Sequence, residues 1–267
     1  MRFAVASLFL FVAAPVACAA EADDAEAERA DPIVGGAVAA EDAWPGTTAI
    51  YRDSGRFCGG TLIHPRWVLT AAHCVAPSSV TGDFTAIVVG QSRLSDRSGE
   101  VMSSDRAYRH PSYSPITQDG DVALIHLSAP ARARPVKLVR ASELAQVAPG
   151  AEGTVVGWGL TGEAGAVSDP LREVPVPLLD DAECRSFSGY GHLTANMLCA
   201  GAVGRDACGG DSGGPLFLRI GSEDVQIGVV SWSAYGCGRA RRPGVYTRVG
   251  RYLDWIAATT GGAVATE

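Results

Sequence analysis

Short apolar runs separated by turn-forming residues cover most of the chain beyond residue 33. The clearest runs are TLIHPRWVLT (61–70), FTAIVVG (84–90), VALIHL (122–127), GTVVGWG (153–159), VQIGVVSW (225–232) and GVYTRV (244–249). Runs of this length, rich in β-branched residues and bounded by turns, predict β-strands. The pattern favours an antiparallel sandwich or barrel over parallel βαβ units.

Two other segments interrupt this strand pattern. GRYLDWIAAT (250–259) places Leu253 and Ile256 three residues apart on one face, which predicts a helix near the end of the chain. APARARPVKLVRAS (129–142) is rich in proline and arginine and is predicted to connect two halves.

The first 32 residues have a different composition from the rest. Arg2, the apolar run FAVASLFLFVAAPV and the small residues around Ala17 predict a signal peptide over residues 1–20. The alternatives are a membrane anchor, because residues 3–20 carry no charge, and a lipid anchor through Cys18. EADDAEAERADP (21–32) is acidic and lacks apolar periodicity, which indicates a solvated pro-segment.

Composition limits the classes of function. The chain has 267 residues, of which 47% are apolar, enough for a sizeable core in one large or two small domains. Its net charge is -7, and the residues after 32 still hold 23 acidic against 20 basic side chains. This balance excludes a nucleic-acid partner.

Cysteine usage depends on the predicted export. Loss of Cys18 with the signal peptide leaves six cysteines, which can form three disulfides in an oxidising compartment. Six cysteines allow fifteen pairings, so spacing alone does not choose among them. A metal cluster is the alternative, although no C-x-x-C spacing occurs.

The segment CGGDSGGP (208–215) carries the strongest chemical signal. Glycines around Ser212 let the backbone approach a substrate closely and direct N–H groups at a developing oxyanion. The segment also fits the G-x-S-x-G turn of α/β-hydrolases, in which the histidine follows the serine. That interpretation is excluded because all five histidines precede Ser212: His64, His73, His110, His126 and His192.

A histidine-first arrangement therefore remains. TAAHC (70–74) supplies His73, a base that can take the proton of a serine hydroxyl. DVALIHL (121–127) supplies Asp121, a carboxylate that can hold the imidazole in one tautomer. Asp119 is a rival, but Asp121 directly adjoins the apolar strand.

These motifs, in this order, resemble the trypsin-like serine endopeptidases of the chymotrypsin family. The matching stretches run from Ile33 to the terminal helix and are IVGG, CGGTLI, LTAAHC, HPSY, DVALIHL, GWG, MLCAG, GDSGGP, SW and PGVYTRV. The resemblance implies an all-β fold of two packed antiparallel six-stranded β-barrels with a C-terminal α-helix. It places the protease domain at 33–267, with the first barrel at 33–138 and the second barrel and helix at 139–267.

The resemblance also implies roles for single residues. His73, Asp121 and Ser212 would be catalytic, with Ser231 behind the carboxylate, and the N–H groups of Gly210 and Ser212 would form the oxyanion hole. The implied disulfides are Cys58–Cys74, Cys184–Cys199 and Cys208–Cys237. No cofactor is implied. The stretch GQSRLSDRSGEV (90–101) offers only Asp96 and Glu100 as carboxylates, so we predict no calcium or other metal site.

Substrate preference is expected to depend on Asp206, at the family position that binds Arg or Lys side chains. The alternative is local pairing of Asp206 with Arg205. Trypsins often have serine at the position of Ala207, and the loss of its hydroxyl is expected to favour Arg over Lys. Gly244 is expected to keep one wall of the pocket open. Ser233 departs from the usual glycine, and the loop that begins there is one residue longer than in typical trypsins.

The resemblance further implies that activation requires a free ammonium on Ile33, which pairs with Asp211 and orders the site. The preceding residue is Pro32, after which a tryptic enzyme does not cut. Cleavage after Arg29 would leave three residues attached and keep the ammonium from Asp211. We therefore predict a separate activating protease that acts after proline.

The sequence thus predicts a secreted serine endopeptidase that cuts after Arg and, less well, after Lys. A periplasmic location is the alternative to full secretion. Expected partners are protein or peptide substrates, the activating protease and protein inhibitors, and we expect a monomer. The competing hypotheses are a catalytically silent binding module and a small-ester hydrolase activity on the same scaffold.

Overall fold

The computed structural model describes Met1 and residues 34–53, 57–76, 83–96, 98–162 and 164–266. Apart from Met1, the predicted signal peptide and acidic pro-segment lie outside the described residues, as do Cys18 and Ile33. The chain enters through a two-residue strand, β1 (Ala37–Val38), which joins the second of two sheets.

The first sheet closes into a barrel. Its strands are β2 (Thr47–Arg52), β3 (Phe57–His64), β4 (Trp67–Thr70), β5 (Phe84–Val89), β6 (Glu100–Met102), β7 (Ser104–Arg109) and β8 (Ala123–Leu127). Their order is β6-β5-β2-β3-β4-β8-β7, with antiparallel neighbours throughout. Because only Ser103 separates β6 from β7, the two edges belong to one bent strand, and the barrel has six strands.

The second sheet closes in a similar way. Its strands after β1 are β9 (Lys137–Leu138), β10 (Glu152–Gly157), β11 (Arg172–Pro177), β12 (Met197–Ala200), β13 (Pro215–Ile220), β14 (Glu223–Ser233) and β15 (Gly244–Arg248). The path β11-β10-β13-β14-β15-β12 returns to its start through a bridge between Leu178 and Ala200. The strands β1 and β9 attach outside these six, and β9 runs parallel to β14.

Two short α-helices complete the fold. The predicted terminal helix is present as α2 (Leu253–Thr259), which buries Leu253 and Ile256 and follows a 3-10 turn at Val249–Arg251. The first, α1 (Asp181–Ser186), was not predicted, and the Asp180 carboxylate caps it by accepting from the Ala182 N–H at 2.8 Å. With six and seven residues, neither helix of the described chain could cross a membrane.

The two barrels share one apolar core. A single cluster of buried side chains includes Leu62 and Leu124 from the first barrel and Leu216 and Tyr246 from the second. Buried polar contacts also cross between them, such as the Thr61 hydroxyl donating to Gln226 Oε1 at 2.6 Å. This architecture confirms the predicted fold class, and the residues at the junction form the site described next.

Candidate active site

His73 and Asp121 meet at the edge of the first barrel. His73 lies on a 3-10 turn just after β4, and Asp121 lies two residues before β8, which pairs with β4. The Asp121 carboxylate accepts from the His73 backbone N–H at 2.9 Å and from ring Nδ1 at 2.8 Å. In the neutral imidazole, donation from Nδ1 to the carboxylate leaves Nε2 as the nitrogen with a free lone pair, which is the tautomer that a base needs.

The second barrel supports this carboxylate. Ser231 on β14 donates its hydroxyl to Asp121 Oδ2, and the Thr247 hydroxyl donates to the Asp121 carbonyl at 2.7 Å. The Asp121 side chain is fully buried, whereas 27% of the His73 side chain is exposed. The base therefore faces the cleft while its acidic partner is held from both barrels.

Asp119, the rival of Asp121, has a different set of partners. Its carboxylate accepts from the Thr194 hydroxyl at 2.6 Å and from the Asn196 side-chain amide at 3.1 Å. These residues lie in the loop before β12, so Asp119 fastens the two barrels together beside the site. It makes no hydrogen bond to His73 among the described residues.

Ser212 lies in a glycine turn that fits tightly against the first barrel. Its carbonyl accepts from the Gly59 N–H at 2.7 Å, and Cys74 Sγ lies 3.7 Å from the same oxygen. Gly213 has φ +80°, and a Cβ there would lie 2.2 Å from Thr70 Oγ1, so only glycine fits. The turn therefore presents the half-buried Ser212 next to the residues that flank His73, with no His73–Ser212 hydrogen bond among the described residues.

Free backbone donors surround this serine. Within the described residues, the N–H groups of Gly210 and Ser212 donate to no other group, while the Asp211 N–H between them bonds the Cys208 carbonyl at 3.0 Å. Gly210 has φ +98°, a conformation that favours glycine. Two unpaired N–H groups beside one serine hydroxyl can stabilise a developing negative charge on oxygen.

A buried carboxylate lies where the resemblance places the base of the specificity pocket. Asp206 is fully buried and accepts from the Gly238 N–H at 3.0 Å and the Gly244 N–H at 3.1 Å. Burial raises its pKa to about 7, because no cation among the described residues offsets the loss of hydration. Arg205 pairs instead with Glu152, at 3.7 Å, so the alternative of local Arg205–Asp206 pairing is wrong.

The walls of this pocket are closely packed around Asp206. A Cβ on Gly244 would lie 2.8 Å from Asp206 Oδ1, so a larger residue would fill the pocket. Ala207 is buried beside it, and Ser233, which pairs with Gly244 across β14 and β15, is exposed at the mouth. The buried Tyr246 hydroxyl has no hydrogen-bond partner among the described residues, a feature that the sequence did not indicate.

Asp211 is a second buried carboxylate without a cationic partner among the described residues. It accepts from the Gly159 N–H at 2.8 Å and the Cys208 N–H at 2.9 Å, and burial raises its pKa to about 6. Val34, the residue after Ile33, lies in this region, because its carbonyl accepts from the Asp206 N–H at 3.2 Å. Ile33 itself lies outside the described residues.

Three disulfides brace these elements. They join the pairs that the resemblance implied, namely Cys58–Cys74, Cys184–Cys199 and Cys208–Cys237. The first flanks His73 and the third closes the Asp206 pocket. Cys58, His73 and Cys74 also have ligand atoms within 4.8 Å of one another, but both sulfurs are used in the disulfide and are not thiolate ligands.

Asp96 and Glu100, the two carboxylates of residues 90–101, both accept hydrogen bonds from neighbouring residues. Asp96 accepts from the N–H and the hydroxyl of Ser98, both at 2.9 Å. Glu100 accepts from the N–H groups of Arg132 and Ala133, both at 2.8 Å.

Two closed barrels with a histidine–aspartate pair and a glycine-flanked serine at their junction define a serine endopeptidase of the two-barrel class. The trypsin family model matches residues 33–256 of this chain. The chain is 40% identical over 226 residues to a trypsin from Saccharopolyspora erythraea, with 83% of this chain and 95% of the relative covered. The chain belongs to the trypsin family.

Two further relatives come from mammals. The chain is 38% identical over 242 residues to a tryptase from Mus musculus, with 84% of this chain and 87% of the relative covered. It is 40% identical over 245 residues to coagulation factor XII from Bos taurus, with 85% of this chain but only 40% of the relative covered. These similarities support a serine endopeptidase and do not favour the silent binding module.

Proposed function

We propose that this serine endopeptidase cuts peptide bonds after arginine, and less well after lysine, through an acyl-enzyme. His73 Nε2 takes the proton of the Ser212 hydroxyl while Oγ attacks the substrate carbonyl carbon. Asp121 stabilises the imidazolium that forms, and the N–H groups of Gly210 and Ser212 stabilise the oxyanion. His73 then protonates the leaving amine, and water releases the acyl group by the same route.

The observation that carries the specificity is the buried Asp206 carboxylate, which accepts backbone hydrogen bonds but has no cationic partner within the described part of the chain. A guanidinium entering this pocket would neutralise the Asp206 carboxylate and form a charge-assisted, bidentate contact with it. A lysine ammonium is more strongly hydrated and needs more polar partners, which the Ala207 methyl does not supply. The neighbouring Tyr246 hydroxyl offers one further polar partner.

Paired peptides that differ only in Arg or Lys before the cleaved bond test this specificity. We expect a higher kcat/KM for the arginine peptide, and Ala207→Ser should narrow the gap by improving the lysine peptide. Asp206→Ala should lower kcat/KM for arginine by about 30-fold or more, because the guanidinium would be buried unpaired. Equal values for the two peptides in the parent protein would remove the proposed preference.

The role of the triad is tested separately. Replacing Ser212 by Ala should lower kcat by about 10⁶ if the three groups act as a unit. A small-ester substrate should show the same loss, because a side activity on esters would use the same nucleophile. Residual peptide turnover within tenfold of the parent enzyme would contradict the assignment of Ser212.

We also propose that the protein is made as a secreted zymogen and becomes active when Ile33 is the N-terminus. A terminal ammonium would supply the cation that buried Asp211 lacks, and the Val34–Asp206 contact would connect it to the pocket. The signal and pro-segment assignments, and the expected monomeric state, remain predictions. Three disulfides agree with an oxidising location.

Two preparations test activation, one beginning at Ile33 and the other at Ala30. We expect turnover from the first and little from the second, since three extra residues hold the ammonium away from Asp211. Incubating the longer form with catalytic trypsin alone should not generate an Ile33 terminus, because Pro32 precedes it. Full activation by trypsin with that terminus would refute the need for a separate protease.

A further inference from the structure

A row of exposed and half-buried aromatic and arginine side chains lies beside the candidate cleft and has no part in the proposed triad or pocket. It is formed by the loop between α1 and β12, by the end of β14 and by the segment between β14 and β15. We call it the aromatic–arginine strip, and its members are Phe187, His192, Trp232, Tyr235, Arg241 and Arg242.

Stacking and hydrogen bonds hold the strip in place at the cleft. Trp232 directly follows Ser231, the residue that donates to Asp121, and its ring stacks on Tyr190 at 5.3 Å and on His192 at 4.7 Å between centroids. The buried Tyr190 hydroxyl donates to the Pro243 carbonyl at 2.8 Å and accepts from the Ala234 N–H at 3.2 Å. Both halves of the strip are therefore fixed to the same pocket walls.

The two arginines are held over aromatic rings. The guanidinium carbon of Arg241 lies 5.1 Å from the Phe187 ring centroid, and that of Arg242 lies 4.7 Å from the Tyr235 centroid. Arg242 also donates to the Ser188 carbonyl at 2.6 Å. Stacking restricts the side chains but leaves N–H groups at the guanidinium edges for another acceptor.

Neither guanidinium is neutralised within the part of the chain that the structure describes. Arg241 and Arg242 form no ion pair with a described carboxylate, and the segment 233–243 contains no Asp or Glu. Elsewhere arginines such as Arg52, Arg219 and Arg248 do pair with carboxylates. The strip is thus a local cationic surface on a chain whose net charge is -7.

Its backbone has an unusual conformation for exposed residues. Tyr235 has φ +66° and Arg241 has φ +59°, left-handed values that cost free energy for residues other than glycine. Tyr235 is nevertheless 72% exposed, so its ring position is not explained by burial in the core. Unfavourable backbone conformations that hold exposed side chains are typical of binding surfaces.

The direction of a bound peptide follows from β14. Beyond Val230, which still bonds the Gly213–Gly214 turn, this strand pairs with β15 on one side only, so the edge at Ser231–Ser233 is open to a substrate strand. A peptide antiparallel to β14 would have its cleaved bond at the Ser212 end. Its preceding residues would then run past Ser233 toward the strip.

We propose that the aromatic–arginine strip binds acidic side chains that precede the cleaved arginine by about three to five residues in an extended substrate. The inference rests on the proposed cleavage after arginine. The partner is an acidic peptide segment on the acyl side of the cleaved bond. The strip therefore determines which arginines in a protein are cut fastest.

Two fluorogenic peptides test the proposal, acetyl-Asp-Asp-Asp-Ala-Gly-Arg and acetyl-Asn-Asn-Asn-Ala-Gly-Arg, each with the same leaving group. At low ionic strength we expect kcat/KM to be about five- to tenfold higher for the acidic peptide. Sodium chloride at about 0.5 M should reduce this ratio to below about twofold, because it screens exposed charges.

Charge variants assign the preference to the strip. The double substitution Arg241→Gln/Arg242→Gln should bring the ratio close to one, whereas Arg241→Lys/Arg242→Lys should retain most of it. Arg219→Gln is the control for net charge, because it removes an arginine paired with Asp224 at the opposite end of β14. The control should keep the parent ratio, and its loss there would attribute the effect to overall charge and overturn the proposal.

The outcomes separate this inference from the proposed function. If neither peptide is cut after arginine, the proposed specificity fails together with the strip's role. If the Asn peptide is cut and the ratio in the parent protein is one, only the strip proposal fails. A ratio of one, with salt-sensitive retention on a sulfated polysaccharide resin that the double Gln variant loses, would assign the strip to a polysaccharide instead.

Discussion

The buried Asp206 carboxyl makes the stability of this protein depend on pH in a predictable direction. Its pKa in the folded protein is about 7, against an ordinary value of 3.8. Between these values the folded protein keeps a proton that the unfolded chain releases. The free energy of unfolding should therefore fall as pH rises through this window.

The size of the change in unfolding free energy follows from the pKa shift of Asp206. Each pKa unit corresponds to about 1.4 kcal/mol, so this group should lower the free energy of unfolding by on the order of 4 kcal/mol between pH 4 and pH 8. Asp206→Asn keeps the shape and removes the titration. The amide oxygen can satisfy only one of the two N–H donors, Gly238 or Gly244, at a pH-independent cost of about 1–3 kcal/mol.

The assay compares the parent and Asp206→Asn by urea unfolding from pH 4 to pH 8, with disulfides intact. Both proteins carry Ser212→Ala to prevent self-digestion and begin at Ile33. The difference in unfolding free energy should move by on the order of 4 kcal/mol in favour of the variant as pH rises. Asp211 is common to both, so its own burial cost cancels and only its repulsion of the Asp206 carboxylate differs between them. A difference that stays constant with pH would refute the burial cost assigned to Asp206.

Three other sets of substitutions test contacts around the site. Ser231→Ala should lower kcat about tenfold with less change in KM, because a hydrogen bond to a buried carboxylate is worth about 1.5–3 kcal/mol; steady-state kinetics that match the parent would contradict this. Removing the Cys58–Cys74 bridge and, separately, the Cys184–Cys199 bridge should each cost about 3 kcal/mol in urea unfolding, since the loops are of similar length. Only the first should also lower kcat substantially, because it flanks His73, and equal losses of kcat would argue against that. A double-mutant cycle of Asp119→Ala and Asn196→Ala, measured by urea unfolding, should give a coupling free energy of about 1–2 kcal/mol. Additive effects of the two substitutions would show that the hydrogen bond between these residues contributes little.

The sequence allowed the fold class, the terminal helix and the strands β3–β5, β8, β10, β14 and β15 to be predicted, because their apolar runs lie between well-marked turns. The predicted runs did not include β2, β12 or β13, although these strands are also largely buried. The sequence also did not indicate β7, whose residues SDRAYR are mostly polar and only partly buried. It also missed β11, where Pro175 and Pro177 argue against a strand even though Pro175 pairs with Thr154. The helix α1 is too short for a periodic pattern and depends on its Asp180 cap.

The residues of the candidate site also divide into those that a local sequence pattern indicates and those that it does not. Residues inside continuous motifs, such as His73, Ser212 and Asp206, could be named in advance because local sequence defines their turns. The link from Asp119 to Thr194 and Asn196 could not, because the loops that carry these residues meet only when the barrels pack. The unpaired Tyr246 hydroxyl likewise depends on how β15 approaches Asp206, which no local pattern encodes.

The supports of Asp121 lie far along the chain, and this sets an order on biosynthesis. The Ser231 and Thr247 hydroxyls that bond Asp121 are 110 and 126 residues further on. While the ribosome is still making the second half, a first barrel that has already formed contains His73 and Asp121 without these partners and without Ser212. A nascent or prematurely terminated chain therefore lacks Ser212 and the two hydroxyls that hold Asp121, so it cannot assemble the proposed triad, whatever the state of its N-terminus.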